Sequence, residues 1–307
     1  MTQPDPELGW TNRPGQYRVS AVPGMTPVDV TIDRAGSRIT RDATKQDPTL
    51  GGVWAMGCSI TYGWGVSDQE TYSAVTDSVL HEMQTTEGGV RNLGVAGYGT
   101  LQSWRLFQRR ASTERLPGTV LYGYFSGHAE RNLALPTFTR TLDRAASRQA
   151  WVAMPYVRVG ADGQGLTFYP PTRYRRWPGA EHSALINLAQ ETADEFVRRG
   201  LSPSAYKATR KLILDFADDA RSRGVKFIVL LLYLSEDDLG IREFLSEHQI
   251  AYLDLTDLGF PGPGKIIEGD GHPNASMHEI WGRKIAAYLS ATMGVANKTS
   301  QSVTESR

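Results

Sequence analysis

The residues of this chain that could carry out chemistry together lie in four short segments. Ser59 stands in Gly57-Cys58-Ser59-Ile60-Thr61-Tyr62-Gly63, and Asp270 and His272 stand in Asp270-Gly271-His272-Pro273-Asn274. Between them come Asn92-Leu93-Gly94-Val95-Ala96-Gly97-Tyr98-Gly99-Thr100 and Gly127-His128-Ala129-Glu130-Arg131-Asn132. A serine hydroxyl is a poor nucleophile until an adjacent base removes its proton, and that base needs a third group, usually a carboxylate, to fix its tautomer. Asp270 and His272 are two residues apart, so in extended backbone their side chains point the same way, and Pro273 disfavours helical geometry at His272. Glycine turns let backbone N–H groups come close to a developing oxyanion. The combination suits acyl transfer. The plainer alternatives are a helix-capping Ser59, an Asp270/His272 loop pair ahead of the last helix, and glycines serving turns alone.

Four such segments can meet only if the surrounding elements bring them to one edge. Residues 53–56 form a short apolar run stopped by Gly57, and 70–83 carry Tyr72, Val75, Val79 and Met83 at helical spacing. Residues 90–93 read as the next strand, 101–110 as a helix, and 119–125 as a third strand after the Pro117-Gly118 break. Pro203 opens a helix whose face is Ala208, Leu212, Phe216 and Ala220, and Gly224 ends it. Residues 225–232 follow as a buried strand without alternation, 239–247 as a short helix and 251–255 as a last strand. The closing helix covers 276–291, with Ser276 and Glu279 placed for a capping box. This alternation predicts an α/β domain with a parallel sheet covered on both faces, over 51–293. Right-handed crossovers then put the strands' C-terminal ends, and the four segments, along one edge.

Three regions fall outside that rhythm. Residues 1–50 read as an N-terminal arm with a small β element, in which Val28, Val30 and Ile32 alternate with polar neighbours. Residues 133–201 are too long for a simple connection and are rich in tyrosine, tryptophan, proline and arginine, the character of a lid or substrate wall. Within them Arg173, Tyr174 and Trp177 offer bidentate and stacking contacts to an anionic or sugar substrate, or form a charged loop surface. The tail, 294–307, is polar and is expected to be disordered.

Composition narrows the function classes. Lys plus Arg and Asp plus Glu number 33 each, so no net field draws the chain to nucleic acid or an anionic membrane. The single cysteine, Cys58, excludes an internal disulfide and reads as a small buried hydrophobe. Residues 1–10 lack a basic segment followed by an apolar run, and no stretch approaches the ~20 apolar residues that cross a bilayer, so a cytoplasmic location is expected. His272 and His278 have no compact third ligand, so no metal or other cofactor is expected. Glu130 and Arg131 read as an ion pair or a solvated face rather than a substrate clamp.

Over residues 50–290 the chain resembles the SGNH (GDSL-like) hydrolase superfamily. The resemblance is carried by Gly57-x-Ser59-x-Thr61-x-Gly63-x-Gly65-Val66, Asn92-x-Gly94-x-x-Gly97-x-Gly99 and Asp270-Gly271-His272-Pro273-Asn274, in that order. It implies a flavodoxin-like three-layer α/β/α fold, with Ser59 as nucleophile and first oxyanion donor, the Gly97 N–H as second donor, His272 as base and Asp270 as its partner. Two positions depart from the pattern. Cys58 stands where many members have aspartate, and His128 stands where the third segment has an asparagine that donates to the oxyanion. An imidazole N–H also donates, so His128 is the expected substitute, with Asn132 as the alternative. The resemblance implies an esterase acting on O-acyl esters of a carbohydrate or small molecule. The same residues serve an O-acyltransferase, and a binding protein that has lost efficient catalysis is the non-enzymatic reading. A nucleotide-binding flavodoxin-like protein fits less well, because no Gly-x-Gly-x-x-Gly or Walker run follows the first strand.

Overall fold

The computed structural model describes residues 1–40, 52–83, 89–145, 152–160, 163 and 165–304, the stretch 293–304 by backbone alone. Two antiparallel hairpins open the chain, β1 (Thr2–Asp5) with β2 (Gly9–Asn12) and β3 (Gly15–Val19) with β4 (Val28–Ile32). The main domain begins with β5 (Val53–Gly57), the one-turn α1 (Ser59–Tyr62) and α2 (Tyr72–Glu82). Then come β6 (Val90–Asn92), α3 (Thr100–Ala111), β7 (Thr119–Phe125) and the short α4 (His128–Asn132). The long segment that follows holds α5 (Pro136–Ala145), the antiparallel pair β8 (Met154–Val159) and β9 (Leu166–Thr172), and the start of α6 (Ala184–Ser222). The chain closes with β10 (Lys226–Tyr233), α7 (Ile241–Glu247), β11 (Ala251–Asp254) and α8 (Ala275–Thr304).

Five strands form one parallel sheet in the order β11-β10-β7-β5-β6. Counted within the sheet this is the flavodoxin-like 2-1-3-4-5 order, whose direction reverses between β5 and β7. Side chains on successive strand positions point to opposite faces, and both faces are apolar. Trp54, Met56, Tyr122 and Leu231 face Phe107 of α3, Phe216 of α6 and Leu245 of α7. Ala55, Leu121, Ile228 and Leu230 face Leu80 of α2 and Met277, Trp281 and Ile285 of α8. Truncating a fully buried anchor such as Phe216 or Trp281 to alanine costs about 3–5 kcal/mol. The result is the expected three-layer α/β/α arrangement. Among the described residues no helix is long and apolar enough to cross a membrane.

Three boundaries differ from the sequence expectation. The sixth helix begins at Ala184, capped by Ser183, and carries Pro203 inside it. Residues 184–202 are rich in Ala, Leu, Gln, Glu and Arg, good helix formers. Pro203 and Arg199 are both exposed, so water can take the carbonyl that the proline leaves unpaired. The cap of α8 is Asn274, whose Oδ1 accepts from the Met277 N–H at 3.1 Å, in place of a Ser276 capping box. That helix also continues to Thr304, so 294–304, expected to be disordered, is helical, and 305–307 lie outside the described residues. Part of the N-terminal arm, 41–50, lies outside them as well.

The arm is held against the sheet's C-terminal edge by a buried cation. Arg38 pairs with Asp68 (Nε to Oδ1, 2.8 Å) and donates to the carbonyls of Tyr62, Gly63 and Val66 at 2.9, 2.5 and 2.6 Å. It thereby satisfies carbonyls that α1 and its exit turn leave without helical partners. Asp68 also accepts from the Thr31 N–H, which ties in β4.

Two predictions follow from these buried groups. Arg38→Met leaves Asp68 without its counter-charge and removes the arginine donor from three carbonyls, and the expected loss is about 3–5 kcal/mol in urea unfolding; a loss below about 1 kcal/mol contradicts this role. Burial, with Arg38 and His272 nearby, pushes His278 down to about 3, below its ordinary 6.5. The unfolded chain therefore binds one more proton than the folded one between those two values, and stability must fall as pH drops through that window. His278→Asn keeps an acceptor for the Tyr72 N–H and should reduce the slope of stability against pH by up to ~1.4 kcal/mol per pH unit. Calorimetry between pH 7 and 4.5 checks it, and identical slopes refute it.

Candidate active site

The site is built at the point where the strand order reverses. The chain leaves β5 through Gly57 (φ 151°) and turns into α1, so that Ser59 stands at the first position of that helix. A Cβ on Gly57 would lie 2.3 Å from Thr61 Oγ1 and 2.9 Å from the Gly123 carbonyl of β7. A Cβ on Gly94 would lie 2.3 Å from the Tyr62 nitrogen. Hydrogen atoms at these positions let β5, β7 and the loop after β6 close around α1. Asn92 secures the arrangement: its Nδ2 donates to the Thr61 carbonyl at 2.8 Å, and its Oδ1 accepts from the Gly94 N–H at 3.0 Å.

Ser59, His272 and Asp270 come together across this crevice. His272 Nε2 lies 2.8 Å from Ser59 Oγ, and His272 Nδ1 lies 2.5 Å from Asp270 Oδ1. The carboxylate can only accept, so Nδ1 carries the hydrogen, and the neutral ring presents Nε2 as an acceptor to the serine hydroxyl. Asp270 is fixed in turn by the Trp64 indole N–H at 3.2 Å and by the His272 backbone N–H at 3.1 Å. The sequence reading places Asp270 and His272 in extended backbone. The structure instead has Gly271 at φ 87° between them, so one carboxylate oxygen accepts from both the backbone and the ring of His272. This local turn holds the pair together without a strand.

Around the three residues is an open cleft of about 370 Å³, with Ile60, Phe125, Phe260 and Pro261 as apolar wall and Arg131 as a cation. Gly97 does not line it. Gly97 (φ 85°) packs beneath Trp10, whose indole donates to the Ala96 carbonyl at 2.9 Å. No described residue of 133–201 lines the cleft either, although Phe138 stacks on Arg131. The segment's apolar residues, such as Leu135 and Val157, bury against Ala208 and Leu212 of α6 instead. The sequence reading of it as a substrate wall is not met by the described residues.

His128 and Asn132 turn away from the cleft. His128 is buried among Tyr122, Tyr124 and Phe125, and its Nδ1 is 2.7 Å from the Tyr122 hydroxyl. That hydroxyl donates to Thr100 Oγ1 at 2.7 Å, so toward His128 it must accept. The ring hydrogen therefore sits on Nδ1. Burial and then Arg131 hold the ring well below its usual pKa, so it is neutral and its Nε2 has no hydrogen to give an oxyanion. Asn132 spends both amide hydrogens on Thr100 and Thr209 and accepts from the Leu101 N–H. Asn132 thereby ties α3 to α6 beneath the site, and His128 packs against β7. Of the surface cluster, Tyr174 donates to Asp194 at 2.6 Å within an Arg140 ion-pair network, and Arg173 and Trp177 are exposed elsewhere. None of the three lines the cleft. Glu130 pairs with Arg198, not with Arg131.

Sequence reasoning missed Trp64 and Arg38, and it favoured an ion pair or a solvated face over a substrate clamp for Arg131. An indole between two motif glycines and an isolated arginine carry no signal of where they point.

No known family model matches the chain, and no curated protein matches it. Among solved structures it is similar to the esterase EstA from Pseudoalteromonas sp., at 9% identity over 80% of this chain and 99% of that one, with a TM-score of 0.45. It is similar to the lipase/acylhydrolase from Enterococcus faecalis at 15% identity over 78% and 96%, with a TM-score of 0.43. A third is AlinE4, an SGNH-hydrolase family esterase, at 13% identity over 83% and 98%, with a TM-score of 0.42.

Proposed function

We propose that the protein is a serine ester hydrolase in which Ser59 is the nucleophile, His272 the general base and Asp270 the residue that orients it. The observation that carries this reading is the hydrogen-bond chain Ser59–His272–Asp270, at 2.8 and 2.5 Å. His272 Nε2 takes the Ser59 proton as Oγ attacks the ester carbonyl, forming the Oγ–C bond of a tetrahedral intermediate. The same nitrogen returns the proton to the departing alkoxide as the C–O bond breaks, leaving an acyl-enzyme. Water, deprotonated by His272, then releases the acid; a hydroxyl acceptor in its place makes the reaction an acyl transfer. The oxyanion falls to the backbone N–H of Ser59; Gly97, the second donor that the resemblance implies, does not line the cleft. What supports this is that the Ser59 N–H has no protein partner among the described residues. The substrate in this reading is an O-acyl ester of a carbohydrate or small molecule.

A fluorophosphonate probe should label the wild type and leave Ser59→Ala unlabelled. Hydrolysis of 4-nitrophenyl acetate should fall on the order of a millionfold in Ser59→Ala and ~10⁴-fold in Asp270→Asn. Folded wild-type protein that takes no label refutes the proposal and leaves a binding role on the same fold.

A further inference from the structure

The cleft beside Ser59 is lined by a cation, Arg131, that no carboxylate among the described residues pairs with. Arg131, in the last turn of α4, lines the cleft together with His272 and the apolar Ile60, Phe125 and Phe260. Its guanidinium is clamped between the rings of Phe125 and Phe138, each at 4.7 Å, and Nη1 donates to the Tyr98 carbonyl at 2.9 Å. Its Nε is buried without a hydrogen-bond partner. Among the described residues no carboxylate pairs with it. Glu130 is engaged by Arg198 and by the Thr137 hydroxyl, Asp270 by His272 and Trp64, and Asp238 by Tyr124 and Ser126.

A guanidinium partly withdrawn from water is costly unless an anion joins it. The two rings and one carbonyl fix the side chain but leave its charge uncompensated. Such a group, held rigid in a mostly apolar pocket, is the arrangement that selects a ligand by charge. Resting on the serine-hydrolase reading, we infer that this cleft takes esters bearing an anionic group, a carboxylate or a phosphate, and that Arg131 is the specificity-determining residue that receives it. The hydrophobic portion of such an ester lies against Phe125 and Phe260, and its charge pairs with Arg131.

The test compares kcat/KM for mono-4-nitrophenyl succinate with that for 4-nitrophenyl pentanoate in the wild type, Arg131→Met and Arg131→Lys. It also measures how succinate and inorganic phosphate slow fluorophosphonate labelling of Ser59. The wild type should prefer the charged ester. Arg131→Met should lower the charged-to-neutral ratio by ~10- to 100-fold, mainly through KM, and Arg131→Lys should restore part of it. The anion that protects Ser59 at the lower concentration identifies the carboxylate or the phosphate as the natural group. A wild-type preference for pentanoate overturns the inference. So does a fall of both esters alike with an unchanged ratio, which would make Arg131 a support for the 94–99 loop or an oxyanion donor. Absence of Ser59 labelling in the wild type is a separate result, rejecting the hydrolase reading and the inference with it.

Discussion

Close approach of α1 to the glycine backbone at the ends of β5 and β7 and in the loop after β6 is the constraint on which the site depends. Gly57, Gly94 and Gly123 leave room for the one-turn α1 to sit between the ends of β5 and β7, with the loop after β6 pressed on its side. A methyl group at any of these positions would meet a neighbouring atom at 2.3 to 2.5 Å. Ser59 therefore owes its position to packing of main chain rather than to its own side-chain contacts. The buried Arg38 completes the arrangement from the other side, by taking the carbonyls that so short a helix cannot satisfy internally.

With Ser59 fixed by the sheet, His272 arrives from a different kind of structure. Asp270 and His272 lie on a glycine-flanked loop ahead of α8, where the carboxylate folds back on His272. Trp64, just beyond the Ser59 turn, reaches across to the other carboxylate oxygen. The loop is thus referenced to the Ser59 turn by the carboxylate as well as by the imidazole. The N-terminal arm contributes at one remove: Trp10 and Asn12 donate to the carbonyls of Ala96 and Gly94 and hold the glycine loop in place.

Much of the fold is legible in the sequence because parallel strands buried on both faces are uninterrupted apolar runs. Residues 119–125 are found as a strand with the same bounds, and Ser59, His272 and Asp270 stand out because their chemistry needs those residue types together. The direction in which a side chain leaves a short helix is not written in its neighbours. His128 and Asn132 occupy a loop that reaches the right edge, but α4 turns both inward, to Tyr122, Thr100 and Thr209, and leaves Arg131 facing the cleft. Pro203 misleads for another reason: it marks a helix start by local rule, yet an exposed proline is tolerated within a helix whose flanks are strong formers. The Arg173, Tyr174 and Trp177 cluster lies away from the cleft, with Tyr174 in an Arg140–Asp194 network, because such a sequence pattern serves a charged surface as well as a binding one.

The central claim is that His272 is held as a base toward Ser59 by Asp270. The tautomer of His272, read from its ring nitrogen shifts in ¹⁵N-histidine-labelled protein and assigned with Asp270→Asn, tests it most directly. The account predicts a neutral ring with hydrogen on Nδ1, a far-downfield proton there that is lost in Asp270→Asn, and an unprotonated Nε2. A ring carrying its hydrogen on Nε2, or one whose spectrum is unmoved by Asp270→Asn, would contradict it.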